Sequence, residues 1–588
     1  MKQNRFTKSF ILGLFACSVC LSSQADDRDP LVRDYITPQR IVWQQTDGKL
    51  EDAEALLQPG TGQAEMASGR YCHITTKGNT SLILDFGREI HGGLQIVAAY
   101  GSKMCTSMRI RFGESIGEAC SESTDNSDCD YGLSTNDHSQ RDFTTSVSRY
   151  GSREVGNSGF RFVRIDFIDK EASLGLQEVR AVYRHRDLPY VGSFHSSDPR
   201  LDSIWQTAAY TVHLNMQEYL WDGIKRDRCI WLGDMHPEVS TIMAVFSDKE
   251  VVEKTLDHAV EQFPLPHWLN GMSSYSFWYL IIQQHWFMHH GDEAFLKKHK
   301  DYIAGLIRQI DSRIDAEGNE VMDPGNNRIT ARFLDWPSSP NRQGVEAGYR
   351  ALMSWALNCG EYLCRYLGDE QTADIAQSAR QRLDANRHDP NGLLQAAAIM
   401  SLAGTMDAPT AAQYILGKRE YGFTTFYGYY MLEALALNGN HQDALDIMRT
   451  YWGAMLDLGA TTFWEDFHME WLTNARRIDD PSFLTEETPT KTDVHGANGD
   501  YCYKGFRHSL CHGWSGGPCA WLAQEVLGIH IVEPGCRKVR ITPHLGDLQF
   551  AEGTYPTPYG IIHVKHTRDA NGKIQSKIRL PKGVKRVK

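Results

Sequence analysis

The period of apolar positions changes twice along the chain. Residues 81–86, 94–97, 108–112 and 160–165 alternate or run apolar, are rich in β-branched and aromatic side chains, and are separated by Gly-rich turns. From about Pro30 to Arg186 this pattern predicts an antiparallel β-sandwich, with 115–158 polar and loop-like. After Ser197-Asp198-Pro199, a cap followed by proline in the first turn, Leu201, Ile204, Trp205 and Ala208 recur at helical spacing. Further helical stretches cover 237–247, 250–263, 274–290, 293–313, 345–367, 370–386, 409–417, 424–438, 441–456 and 516–527, divided by Gly, Pro and Asp-rich joints. About a dozen helices in hairpins predict a toroid of paired helices. No repeat of fixed period is present, which argues against a regular solenoid. Past Gly528 the strand pattern returns at 538–541, 560–564 and 577–580, a small C-terminal β-domain. The division expected is a leader at 1–25, a β-sandwich at 30–190, a helical domain at 195–528 and a closing β-domain at 529–588.

A chain of 588 residues is too long for one simple core, so several domains are required. Its net charge of −12 speaks against nucleic acid as a partner. Lys2, Arg5 and Lys8 precede a short apolar run at 10–21, and Ser23-Gln24-Ala25 offers a small-residue cleavage site; together they form an export signal. Lipoprotein processing at Cys17 is the competing reading. Either way the protein is expected to be exported, to the periplasm, the outer membrane or beyond. No later segment is long and apolar enough for stable membrane insertion. Of 13 cysteines, eleven lie past the leader, and Cys120 and Cys129 flank a polar loop as a candidate disulfide. Free buried thiols are the alternative for the rest.

The chemistry concentrates in 221–238, WDGIKRDRCIWLGDMHPE. There Asp222, Asp227, Asp234 and Glu238 stand among Lys225, Arg226, Arg228, Trp221 and Trp231. Carboxylates beside large rings are costly unless paired or used. A second acidic-aromatic cluster, Thr462-Phe463-Trp464-Glu465-Asp466, follows far downstream. Hydrolysis of a glycosidic bond with inversion needs one carboxyl to protonate the leaving oxygen and another to activate water, roughly 6.5–9.5 Å apart. Asp227 and Glu465 meet that demand; the plainer reading is a set of ion pairs with Arg226 and Arg228 at a domain junction. Asp335-Trp336 and 509–514 place further polar and aromatic groups at helix joints, with His512 suited to a sugar hydroxyl and Trp336 or Trp514 to a ring face. His289, His290 and Asp292 close a helix before Gly291, where histidine meets the C-terminal dipole, so no metal is expected there. There is no Gly-rich phosphate cradle, no nucleophile elbow and no sign of a cofactor.

Taken in order, 84–89, 159–163, 222–234, 463–465, 509–512 and the closing β-domain resemble the α-L-rhamnosidases of glycoside hydrolase family 78. That resemblance implies an (α/α)6 catalytic domain and inverting release of terminal α-L-rhamnose from a carbohydrate substrate. The family's acidic segment, Asp-Cys-Pro-x-Arg-(Asp/Glu)-Glu before Gly-Trp-x-Gly-Asp, is one residue shorter here. Counting back from Trp231 puts Asp227 in the place of the general acid; counting forward from Asp222 puts Arg228 there, and arginine cannot donate a proton. Glu238 is the reserve acid. Glu465 matches the general base, and Asp222, Trp231, Asp234, Trp336 and His512 match sugar-binding positions; Arg226, Glu238, Asp335, Trp464 and Trp514 complete the expected binding set. Were Lys225, Arg226 and Arg228 to face the cleft, they would favour a uronate or sulfate on the neighbouring sugar. The rival readings are a polysaccharide lyase on the same toroid and a non-catalytic glycan-binding protein.

Overall fold

Strand-forming sequence comes first, and it folds as expected. The computed structural model describes residues 29–66, 69–122, 141–321, 332–486, 490–501 and 503–587. Strands β1 (Leu31–Ile36), β2 (Arg40–Thr46), β3 (Lys49–Glu51), β4 (Cys72–Thr75), β5 (Thr80–Gly101), β6 (Cys105–Gly113), β7 (Asp142–Ser148), β8 (Gly151–Phe167) and β9 (Ser173–Arg186) pair antiparallel in the order β3-β4-β9-β5-β8-β6-β7. β1 adds to β9 and β2 to β5. β5 serves both layers of this N-terminal β-sandwich: 81–85 lie beside β2 and β8, and 92–101 beside β9. Gly92 makes the changeover possible, with φ +146° and so close to β9 that a Cβ would stand 1.9 Å from the Val182 carbonyl. β7 and the start of β8 occupy part of 115–158, the stretch expected to be loop-like. A short helix α1 (Ile116–Cys120) also lies there, capped by Ser115.

The helical domain begins where the cap signal placed it: Asp198 accepts from the Arg200 N–H and Pro199 opens α2 (Pro199–Asn215). It continues through α3 (Met235–Val245), α4 (Glu250–Gln262), α5 (Ser273–His290), α6 (Glu293–Lys298), α7 (Lys300–Asp311), α8 (Arg342–Tyr366), α9 (Glu370–Ala385), α10 (Leu394–Leu402), α11 (Ala408–Lys418), α12 (Gly428–Leu437) and α13 (His441–Asp457). After the small α14 (Val494–Ala497), α15 (Pro518–Trp521) runs into a wider turn at Leu522–Val526. α3, α5, α8, α10, α12 and α15 each touch the next, and α15 returns to α3, closing an inner ring. α2, α4, α7, α9, α11 and α13 form the outer ring of this (α/α)6 toroid. Inner helices are buried nearly all round; every residue of α3 is buried. Outer ones bury a stripe, as α9 does with Ala373, Ala376, Ala379 and Leu383. The sequence pattern departs from the structure at two places: 293–313 is two helices divided at His299, and α10, which carries no helical periodicity, forms where no helix was expected. α5 ends at His290 with Gly291 left-handed at φ +64°, and His289 Nε2 bonds the Pro556 carbonyl.

The closing β-structure is two small sheets. Phe550–Thr557, Gly560–Arg568 and Ile574–Arg579 form one, whose edge strand is Ser193–Ser196 from before the toroid, paired with 551–554. Ile529–Glu533, Lys538–Ile541 and Lys585–Val587 form the other. Among the described residues no helix is long and apolar enough to cross a membrane. The leader and Cys129 lie outside the described residues.

Candidate active site

The loop between α2 and α3 is held by three side chains of different kind. Ile224 plugs the apolar core of the sandwich, against Gly159. Lys225, fully buried, points the same way: its ammonium meets Glu114 at 2.9 Å, Glu118 at 3.3 Å, the His495 ring, and the Phe506 and His508 carbonyls. Arg226 turns instead toward the toroid. Its Nε donates to the Arg507 carbonyl, one terminal nitrogen to Asp227 at 3.2 Å and the other to Glu465. Thus Lys225 does not face a cleft, contrary to the expectation that it would offer charge to an acidic sugar. Its neighbours Glu114 and Glu118 come from the β6–α1 segment, and a buried ammonium is tolerated only with such partners. Arg228 donates to the Asn157 carbonyl and covers the Trp221 ring.

Asp227 and Glu465 therefore bind the same guanidinium, one on each terminal nitrogen. The two differ in setting. Asp227 is 24% exposed, and it and Arg228 both have left-handed backbones, φ +52° and +51°. Two consecutive non-glycine residues in that region are unusual and are held only by a surrounding structure that over-determines them. Glu465 is 5% exposed. Its Oε2 accepts from the Ser509 N–H at 3.1 Å, and its backbone carbonyl accepts from Thr425 and from the Trp514 ring N–H. Burial pushes the Glu465 carboxyl above its usual range, with Asp227 adding to the rise and Arg226 and Ser509 opposing it.

Around this pair stand Asp222, Asp234 and His512. Asp222 accepts from the Cys229 N–H, and Asp234, at the head of α3, accepts from the Tyr275 hydroxyl at 2.8 Å. Burial raises both carboxyls well above the ordinary aspartate range. His512 Nε2 lies 3.9 Å from Asp222, 3.8 Å from Asp234 and 3.7 Å from Glu465, beyond direct hydrogen bonding. Burial, then Arg226, holds its ring well below the usual pKa, hence neutral. The ligand atoms of Asp222, Asp234 and His512 lie within 4.8 Å of one another, which would suit a cation as well as a hydroxyl; the guanidinium of Arg226 beside them favours the hydroxyl.

The remaining expected residues divide. Trp231 and Trp336 are half-buried, edge-on to Tyr275 and Phe333 respectively, and present ring surface. Trp514 stacks on Phe426 at 4.9 Å and leans on His512. Trp464 is fully buried against Phe467 and backs the site. Asp335 is buried, accepting from Ser338, Thr424 and Gln395, so protein donors occupy it. Glu238 has no exposed surface; neither carboxylate oxygen has a donor among the described residues, and the group abuts Gly513. Burial, then Asp234 and Asp222, raises its carboxyl far above the usual range, so it is held neutral. Tyr275, Thr425 and Glu114 were not anticipated, and Ser509 only as part of the 509–514 stretch. Nothing distinguishes Tyr275 among 25 tyrosines in the sequence, and Ser509 acts through its backbone. Glu114 lies in another domain.

Residues 189–388 match the family of bacterial alpha-L-rhamnosidase 6 hairpin glycosidase domains, and 528–587 the bacterial alpha-L-rhamnosidase C-terminal domain. A curated alpha-L-rhamnosidase of Alteromonas sp. (strain LOR) is 23% identical over 455 residues, covering 70% of this chain and 46% of that protein. The chain thus spans about half the length of that relative. Similar solved structures include a GH78 family rhamnosidase of Bacillus sp. GL1 (TM-score 0.68, 21% identity, 90% of this chain and 56% of that one). A Klebsiella oxytoca rhamnosidase with rhamnose bound is also similar (0.62, 20%, 84% and 96%), as is a Streptomyces avermitilis alpha-L-rhamnosidase complexed with L-rhamnose (0.63, 15%, 88% and 49%).

Proposed function

We propose that this chain, a member of the six-hairpin bacterial α-L-rhamnosidase family, is an exported glycoside hydrolase that releases terminal α-L-rhamnose with inversion. The observation that carries the mechanism is the meeting of Asp227 and Glu465 on one guanidinium at the mouth of the toroid. Two carboxylates separated by a guanidinium cannot share a proton, and the arrangement favours the wider spacing, roughly 6.5–9.5 Å, that leaves room for water. Asp227 is the proton donor to the leaving oxygen, being the most exposed carboxylate of the group. Glu465 is the base that polarises water. Asp222, Asp234 and His512 bind ring hydroxyls, which fit between groups 3.7–3.9 Å apart. Trp231 and Trp336 flank the deoxy-sugar's methyl. Screening rhamnose release from plant and algal oligosaccharides, with proton NMR of the first-formed anomer, tests the reading. A retained anomer rejects inversion, and an unsaturated uronate product would make the protein a lyase.

The acid assignment has its own test. Asp227→Asn is expected to lose about 10²–10⁴-fold in kcat on rhamnosyl saccharides, the usual scale for one acid-base group. It should lose far less on an aryl rhamnoside whose phenol departs without a proton. Glu238→Gln should change neither. If Glu238→Gln shows the leaving-group dependence instead, the two roles are exchanged.

The pH profile follows from Glu465. A base must be ionised, so activity rises with pH through its raised pKa and is lost below it. Arg226 lowers that pKa, so Arg226→Gln should carry the acid limb of kcat/KM to higher pH. An unmoved limb would assign it to another group.

A further inference from the structure

The inner ring has two mouths, and the groups above all sit at one of them. Asp234 heads α3, Tyr275 lies in the first turn of α5, and Trp514 precedes α15. Along the same helices runs a second cavity of about 420 Å³ that opens at their C-terminal ends, where Met243, Ala244 and Met288 line it under the C-terminal sheets. It reaches inward to His236 and Tyr430, in the first turns of α3 and α12. His236 Nδ1 is 2.9 Å from the Tyr430 hydroxyl and its Nε2 is 2.9 Å from His285 Nδ1. Its walls include Gln284 and His285 of α5, Trp355 of α8, Glu433 of α12 and Gln524 of the last turn, with Arg540 at the rim. Ile529, Ile531 and Tyr555 close it from the C-terminal sheets.

The lining has a particular chemistry. Trp355 is half-buried and lines the cavity; Trp278, His236 and Tyr430 meet it at 74°, 79° and 88°, and the His285 ring tilts against it at 55°. Gln284 adds an amide that can donate and accept, while the Gln524 nitrogen is held by Glu433 and Glu525 and its oxygen is left to accept. Glu433 keeps one oxygen on the Gln524 amide, while its Oε1 has no donor among the described residues. Burial and nearby Glu525 raise the Glu433 carboxyl well above its usual range, so it is neutral and can donate as well as accept. Burial likewise lowers His285 to about 4, leaving an uncharged imidazole. One ring face with several uncharged donor–acceptor groups, in a volume typical of small-molecule pockets, matches a polyhydroxylated ring with an apolar C–H face.

We propose that this cavity is a second, non-catalytic binding site for a neutral sugar unit of one or two rings, opening at the end of the toroid opposite the hydrolytic site. A bound ring would lie on Trp355, with Gln284, Glu433 and Gln524 meeting its hydroxyls. The inference does not depend on which glycoside is cleaved.

The test is calorimetric titration of the hydrolytically silenced full chain, Glu465→Gln, with L-rhamnose, D-glucose and D-galactose in turn. Two classes of site are expected for at least one sugar. Adding Trp355→Ala should weaken one class by about tenfold or more, the scale of one lost aromatic contact, and spare the other; adding Asp234→Asn should do the reverse. Gln284→Ala serves as a second cavity variant should Trp355→Ala lower the melting temperature. A single class that disappears with Asp234→Asn and ignores both cavity variants overturns the proposal, as does an absence of binding by all three sugars. Binding that ignores Asp234→Asn but is lost with Trp355→Ala would uphold this site and count against the hydrolytic assignment.

Discussion

Glu465→Gln is expected to lose about 10²–10⁴-fold in kcat for rhamnose release while still folding, with a lower melting temperature because a buried ion pair is broken. The size follows from what both oxygens do. One accepts from Arg226 and the other from the Ser509 N–H. An amide offers one acceptor and one donor, so either orientation of glutamine sets an N–H against another N–H. The variant therefore lacks the ionised base and also misplaces Arg226, which binds Asp227 as well. Steady-state rhamnose release at the pH optimum, beside a thermal melt, measures both halves. Turnover within tenfold of the parent by a folded variant removes Glu465 from the chemistry.

The largest effect on stability should come from Lys225→Met. Its ammonium pairs with Glu114 and shares Glu118 with Arg141, and the Lys225, Glu114 and Glu118 side chains have no exposed surface. Removing one partner of a buried pair costs about 3–5 kcal/mol, because the other charge stays buried without its counterion. The loss also depends on pH. Burial, opposed by Lys225, raises Glu114 to about 7. A carboxyl with a folded pKa above its unfolded one favours the fold at low pH, and that contribution is lost as pH rises through the folded value. Without Lys225 the folded pKa climbs further, so the deficit should widen from pH 6 to pH 8. Denaturant midpoints at the two pH values decide this, and Lys225→Met/Glu114→Gln should recover part of the loss. An unchanged midpoint at pH 8 would mean the cluster is held by its hydrogen bonds alone.

Much of this arrangement was legible in the chain. The outer helices announce themselves because water on one side enforces a 3.6-residue stripe, as in α4, expected at 250–263 and found at 250–262. α10, LQAAAIMSL, escaped because it is buried on every side and so has no stripe to show. The strands in 142–158 escaped for the opposite reason: Phe143, Thr144 and Thr145 sit near an edge with little to bury, and their polar residues resemble a loop. The candidate site was visible as two acid-and-tryptophan clusters. What the chain did not disclose was direction. Lys225 and Arg226 are adjacent and alike in charge, yet one enters the sandwich interface and the other the toroid. That difference rests on Glu114, more than a hundred residues earlier, and no local pattern contains it.

The strand at Ser193–Ser196 has a temporal consequence. Its partner at 551–554 is made some 355 residues later, which at 5–20 residues per second is roughly 20–70 s of synthesis. Through that interval an unsatisfied strand edge stands on the nascent protein, open to pairing with the wrong neighbour. A chain released before residue 554 is made therefore lacks the partner that closes this edge.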